Sequence, residues 1–169
     1  MGKNHKKNMK EMPEMDGMQG TSNPYQKLLI MLVLSFISMY ILMYSMVNSF
    51  VNVFPNINQF YMAGLMTMPM IIIELVLMGK MYMNKKLNAI LISISSAALI
   101  AFFLLIQFQI GVSDKQFLKG MIPHHTAAIL MSEQSKTQDP EIKKLQQEII
   151  ASQQEEIKVM KTKLKELDK

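Results

Sequence analysis

The sequence predicts an all-α membrane protein: three transmembrane helices followed by an antiparallel helical hairpin outside the bilayer. Three observations lead there. Apolar runs at 28–47, 60–79 and 89–112 are each near or above the ~20 residues a helix needs to cross a ~30 Å hydrocarbon core. Charged residues gather at the two ends of the chain and in one short loop. Beyond Val112 the apolar residues change to helical spacing, interrupted once by a turn.

Composition divides the 169 residues into a Met- and Lys-rich tail (1–27), a membrane region (28–112) and the hairpin (113–169). The first apolar run is longer than the ~7–15 residues of a signal-peptide core, and the "NSFVNVFPN" after it is a poor cleavage site. It therefore reads as a span. The second run holds Glu74, the one ionisable residue within a span; such residues are functional candidates by default, although Lys80 lies within two turns. Pro69 is expected to kink this helix.

Orientation follows from the lysines. Lys3, Lys6, Lys7, Lys10 and Lys27 precede the first span; Lys80, Lys85 and Lys86 fill the second loop; the first loop, "VNVFPNINQ", has no charge. Positive residues favour the cytoplasmic side, so the N-terminus is expected inside and the hairpin outside a multi-pass cell-membrane protein. The net charge of +5 is thus mainly a topology signal. With no arginine among the 18 basic residues, a nucleic-acid partner is set aside, leaving the lipid bilayer. The absence of cysteine removes disulfides and thiolate metal sites together.

In the hairpin, Ser113 followed by Gln116 suggests a capping box, and Asp139-Pro140 an N-cap with proline in the first turn. These signals predict helices over about 114–136 and 140–167. Helical spacing puts Phe117, Met121, His124, Ala128 and Met131 on one stripe of the first. The second stripe runs through Ile142, Leu145, Ile149, Gln153, Ile157, Met160 and Leu164. Equal distances from the turn set His124 opposite Gln153, and Met121 opposite Glu156 and Ile157, to within about one helical turn. Two helices leave apolar surface uncovered, so either two chains pair into a four-helix bundle or the hairpin rests on the spans. Pairing is the favoured expectation, since a small bundle is otherwise short of core.

The stretch "GMIPHHTAAILM" carries two of the three histidines. Pro123 lacks an N–H and crowds the carbonyl of Lys119, so the helix should loosen there and leave a carbonyl open to another donor. Met121 lies three residues from His124 and four from His125, so both pairs can share a face. Imidazole suits several transition metals, whereas thioether sulfur selects soft ions such as Cu(I). Buried histidines and methionine stripes also occur as plain packing. In the tail, Met9, Met12, Met15 and Met18 recur every third residue beside His5, a second candidate set for a soft ion. Further methionines face together in the spans: Met31, Met39, Met43 and Met46 in the first, and Met62, Met66 and Met70 in the second. They are a thinkable thioether relay, or adaptable packing.

"DKQFLKGMIPHHTAAILM" followed by "IIASQQEEIKVMKTKL" resembles the bacterial domain of unknown function 305 family, over nearly all of 113–167. The apolar portion, with "MYILMYSMVNSF" and "NQFYMAGLMTMPMIIIEL", resembles its membrane-anchored branch. The family pattern falls on Asp114, Phe117, Met121, His124, His125, Met131, Gln153, Glu156 and Met160. The resemblance implies a ferritin-like four-helix bundle, which one hairpin completes only by forming a homodimer or higher homo-oligomer. It also implies copper handling. The expected metal ligands are Met121, His124, His125, Met131 and Met160, with Gln153 and Glu156 orienting the imidazoles.

The expected function is binding of copper as Cu(I), or silver, for sequestration, tolerance or hand-over to an exporter, without catalysis. A metal-independent adaptor or oligomerisation module is the alternative. A ferritin-like metalloenzyme ranks last, because di-iron bundles need inward carboxylates and Glu-x-x-His pairs that this chain lacks.

Overall fold

The computed structural model describes residues 23–168, so the expectations on His5, Met9, Met12, Met15 and Met18 lie outside it. The described residues form five α-helices: α1 (Pro24–Leu42), α2 (Ile57–Leu77), α3 (Lys85–Gln107), α4 (Asp114–Gln134) and α5 (Pro140–Glu166). α1 tightens into a 3₁₀ turn at Met43–Met46, and a second 3₁₀ turn covers Phe50–Asn52. Three helices are long and apolar enough to cross a membrane. They start three to four residues before the apolar runs, because each start is set by a cap. Asn23, Asn56 and Asn84 all accept a hydrogen bond from a first-turn N–H. The apolar run at 89–112 stops being helical at Gln107, and Gln109 and Gly111, both with positive φ, turn the chain into α4.

α2 is the central span, packed on α1 on one side and α3 on the other. Its buried positions include Ala63, Gly64, Thr67, Ile71 and Leu75. Gly64 is required by close approach: a Cβ there would fall 2.5 Å from the Phe102 ring. Small residues allow such contact where lipid offers no hydrophobic drive for helix association. Thr67 satisfies its hydroxyl on the Ala63 carbonyl at 2.6 Å. At the lysine-bearing end, the Tyr25 hydroxyl donates to Asn88 Oδ1 at 2.8 Å, joining α1 to α3. Glu74 sits at this same end and accepts the Tyr82 hydroxyl at 3.2 Å.

The hairpin has the expected order and nearly the expected bounds, but its faces differ. α4 buries Ile122, His125, Thr126 and Ile129, not the stripe through Phe117 and Met131, both of which are exposed. Ile122 and Ile129 join Ile157, Met160 and Leu164 of α5 in one core, with Leu118, Met121 and Phe54 against it. On α5 only the half near Ile157–Leu164 is buried; Ile142 and Leu145 are exposed. The cross-hairpin register is shifted by one turn, the margin expected of it. His125 meets Glu156, where equal spacing from the turn puts Ser152.

The hairpin rests on the spans, one of the two sequence expectations. Gln116 does not complete a capping box: Ser113 accepts its N–H at 3.4 Å, but the Gln116 side chain reaches across to accept the Ile57 N–H at 2.9 Å. α5 contributes Lys161, which donates to Asn52 Oδ1. The hairpin is thereby seated on the end of the bundle formed by the α1–α2 loop.

Candidate functional site

Pro123 lies within α4, and the consequence expected of it is visible. With no N–H at Pro123, the Lys119 carbonyl has no helical donor, and the Asn56 side-chain amide approaches it at 3.5 Å. Asn56 is nearly buried. Its Oδ1 caps α2 by accepting the Gln59 N–H at 3.0 Å, while Nδ2 also donates to Phe54 O at 3.0 Å. One asparagine therefore serves both the start of α2 and the proline gap of α4. Gly120 faces the same asparagine, and a Cβ there would make ordinary contact with Asn56 Oδ1 at 3.5 Å.

The two adjacent histidines have opposite surroundings. His125 is buried, with Nδ1 2.8 Å from the Met121 carbonyl and Nε2 2.6 Å from Glu156 Oε2. A carbonyl only accepts, so Nδ1–H is the donor. Both ring nitrogens thus have a partner within the hairpin. The Glu156 carboxyl is held below the usual range, first by the Ser152 hydroxyl donating to Oε1 at 2.8 Å and then by His125. The role expected of Glu156, orienting an imidazole, has its geometric counterpart here, on the inward histidine.

His124 is exposed and turns towards the spans. It lines a cavity of about 350 Å³ between α4 and the adjoining ends of α1 and α2. Met121 lines the same cavity, as do Met43 and Met46 from the 3₁₀ end of α1 and Met62 from α2. Helical spacing explains the grouping. Residues three apart eclipse in a 3₁₀ turn, which stacks Met43 under Met46, and Met121 and His124 share one face of α4. Asn56, Asn58, Gln59 and Gln109 supply the polar part of the wall, and no charged side chain lines it. Within that wall Asn58 donates to Gln109 Oε1 at 2.9 Å, and Gln109 to Ile106 O at 2.7 Å. The Asn58 Oδ1 is buried without a donor.

The expected ligand pool is therefore divided. Met121 and His124 come together; His125 is committed to Glu156; Met160 is in the hairpin core; Met131 is exposed. Gln153 is half-buried on α5, and the His125 ring bonds to Glu156 in its place. Among the described residues, no three His, Asp or Glu side chains converge as a metal site. Of the span methionines, Met43, Met46 and Met62 reach the cavity, whereas Met31 packs near Leu28 and Met66 is exposed. The sequence named all three, and it offered a hairpin resting on the spans, but no local signal tied α4 to these methionines.

The family model for the domain of unknown function (DUF305) matches residues 100–164, covering the end of α3 and almost the whole hairpin. A relative, described as uncharacterized protein L153 of Acanthamoeba polyphaga mimivirus, is 38% identical over 142 residues. That alignment spans 82% of this chain and 91% of the relative, so the likeness extends through the membrane region. No solved structure matches the chain at a significant level. On the hairpin match and on this relative, the chain belongs to the DUF305 family.

Proposed function

We propose that the protein is a membrane-anchored carrier of soft monovalent metal ions, Cu(I) or its congener Ag(I), used for sequestration or for hand-over to an exporter. The observation that carries this reading is the pairing of Met121 with the exposed His124 on one uncharged cavity. Thioether and imidazole donors without thiolate or carboxylate favour a soft ion over zinc, iron or the hard divalent ions, which take oxygen ligands. The neutral wall favours low charge as well. The cost of desolvating an ion rises with the square of its charge, and no carboxylate is present to offset it. The metal is cargo, and no reaction is assigned to it.

The lysine distribution supports an inside N-terminus and an outside hairpin. The tail methionines Met9, Met12, Met15 and Met18 would then offer soft donors on the opposite face of the membrane. A Cu(I) titration of the full chain in detergent, against a chromophoric chelator, tests the reading. It requires a tail variant carrying His5→Ala, Met9→Leu, Met12→Leu, Met15→Leu and Met18→Leu, so that tail sites do not compete. Saturable binding, weakened at least about tenfold by Met121→Leu or His124→Phe, is the expected result. Binding that ignores both substitutions contradicts it.

A second reading, a metal-independent oligomerisation module, draws on the exposed Ile142, Leu145 and Val159 of the hairpin, which a second copy would cover. It requires the full chain to associate equally with and without metal, and both readings hold together if a metal-binding chain also dimerises.

A further inference from the structure

We propose, resting on the soft-metal reading above, that the ion is shared across the seam between the hairpin and the spans. Met43, Met46 and Met62 of the membrane helices complete the donor set begun by Met121 and His124. The hairpin by itself provides one thioether and one accessible imidazole on this face, a sparse site for an ion that exchanges ligands readily. The cavity adds three more thioethers from two other elements, which no reading of the hairpin alone would include. Their arrival has local causes. The 3₁₀ tightening at Met43–Met46 stacks two of them. The Asn56 cap fixes the start of α2, and with it Met62, against the proline gap of α4.

Thioether sulfur is neutral and weakly hydrated, so gathering several costs little desolvation, and the three rotatable bonds of methionine let its sulfur adapt to an ion. The site would take a bare Cu(I) or Ag(I) ion in a sulfur-rich shell. Its wall supplies no anionic group to hold a hard cation. A ligand set drawn from α1, α2 and α4 also has a mechanical consequence. Loading ties the hairpin to the spans, and release of the ion frees the seam to loosen. Ion occupancy and hairpin seating are then linked equilibria, each favouring the other by the same factor.

The test uses the full chain with the tail substitutions given above, labelled with ¹³C at the methionine methyls and placed in detergent micelles. The methyl signals are assigned by single Met→Leu variants and followed during Ag(I) titration. The shared site predicts that Met43, Met46, Met62 and Met121 shift together and saturate at the same ion-to-protein ratio. It predicts that Met43→Leu/Met62→Leu, which keeps apolar volume, weakens binding at least about tenfold with circular dichroism unchanged. If Met121 shifts and the binding depends on His124 while Met43, Met46 and Met62 stay still, the shared site is wrong and the soft-metal reading stands. If none of the four signals moves at saturating Ag(I), both are wrong.

Discussion

His125 and Glu156 meet across the hairpin, Nε2 to Oε2 at 2.6 Å, and thereby divide the labour of the two neighbouring histidines. The inward ring fixes α4 to α5, with its other nitrogen held by the Met121 carbonyl at 2.8 Å. The outward ring, His124, is left free to face the cavity. A hundred degrees of helix rotation between consecutive residues is enough to give them different chemistry.

Glu156 leads to a prediction about acid. Its carboxyl titrates below the usual range in the folded chain, so the folded state releases that proton more readily than the unfolded state. Stability from this group is therefore fully present above the unfolded carboxylate value of about 4.3. It is lost as pH falls through the depressed folded value. Thermal melts of the full chain between pH 7 and pH 3 should show this acid limb, and Glu156→Gln should flatten it. An unchanged limb in that variant would mean that other carboxylates, such as Asp168 beside Lys115, dominate acid sensitivity.

Asn56 separates two roles that one side chain performs. Asn56→Ala removes the α2 cap and should cost about 1 kcal/mol. Asn56→Asp keeps an acceptor for the Gln59 N–H but has no N–H to give to Phe54 or to the Lys119 carbonyl. Amide exchange is expected to accelerate at the first turn of α2 in the alanine variant. In the aspartate variant the acceleration should be confined to the α4 seam around Lys119. The same pattern in both variants would argue against the double role.

The hairpin core can be weighed directly. Ile122 is fully buried, so Ile122→Ala should destabilise by about 2–5 kcal/mol. Ile142 and Leu145 are about half exposed, and alanine there should cost well under that, on the order of 0.5 kcal/mol in the monomer. Chemical denaturation followed by circular dichroism gives the comparison. A large cost at Leu145 would point to a second copy covering that face.

Among the three apolar helices, Gly64→Ala should weaken the packing of α2 on α3 by about 1–3 kcal/mol, because the Phe102 ring would have to move. Gly64→Ala/Phe102→Leu should recover part of the loss. Resistance to detergent-induced unfolding reads both, and no recovery in the double variant would mean that the conflict lies elsewhere.

Much of this fold was legible because its signals are local. Apolar run length gave the spans, and the Ser113 and Asp139 caps gave the hairpin. Pro123 next to Gly120 announced an opening in α4. The faces of α4 were not legible, for a physical reason. α4 has two apolar neighbours, so Leu118, Ile122, His125 and Ile129 face α5, Phe117, His124 and Ala127 face the spans, and Met121 lies between the hairpin core and the cavity. A helix packed on two sides has no single stripe for periodicity to find. The contribution of Met43, Met46 and Met62 was hidden likewise, since it depends on where a helix more than fifty residues later comes to rest.

The most direct test of the soft-metal account is X-ray absorption at the copper edge on the full chain carrying the tail substitutions and loaded with Cu(I). A sulfur-dominated shell with one nitrogen is expected, with loss of that nitrogen in His124→Phe. A shell of nitrogen and oxygen alone, or one that His124→Phe and Met121→Leu leave untouched, would contradict it.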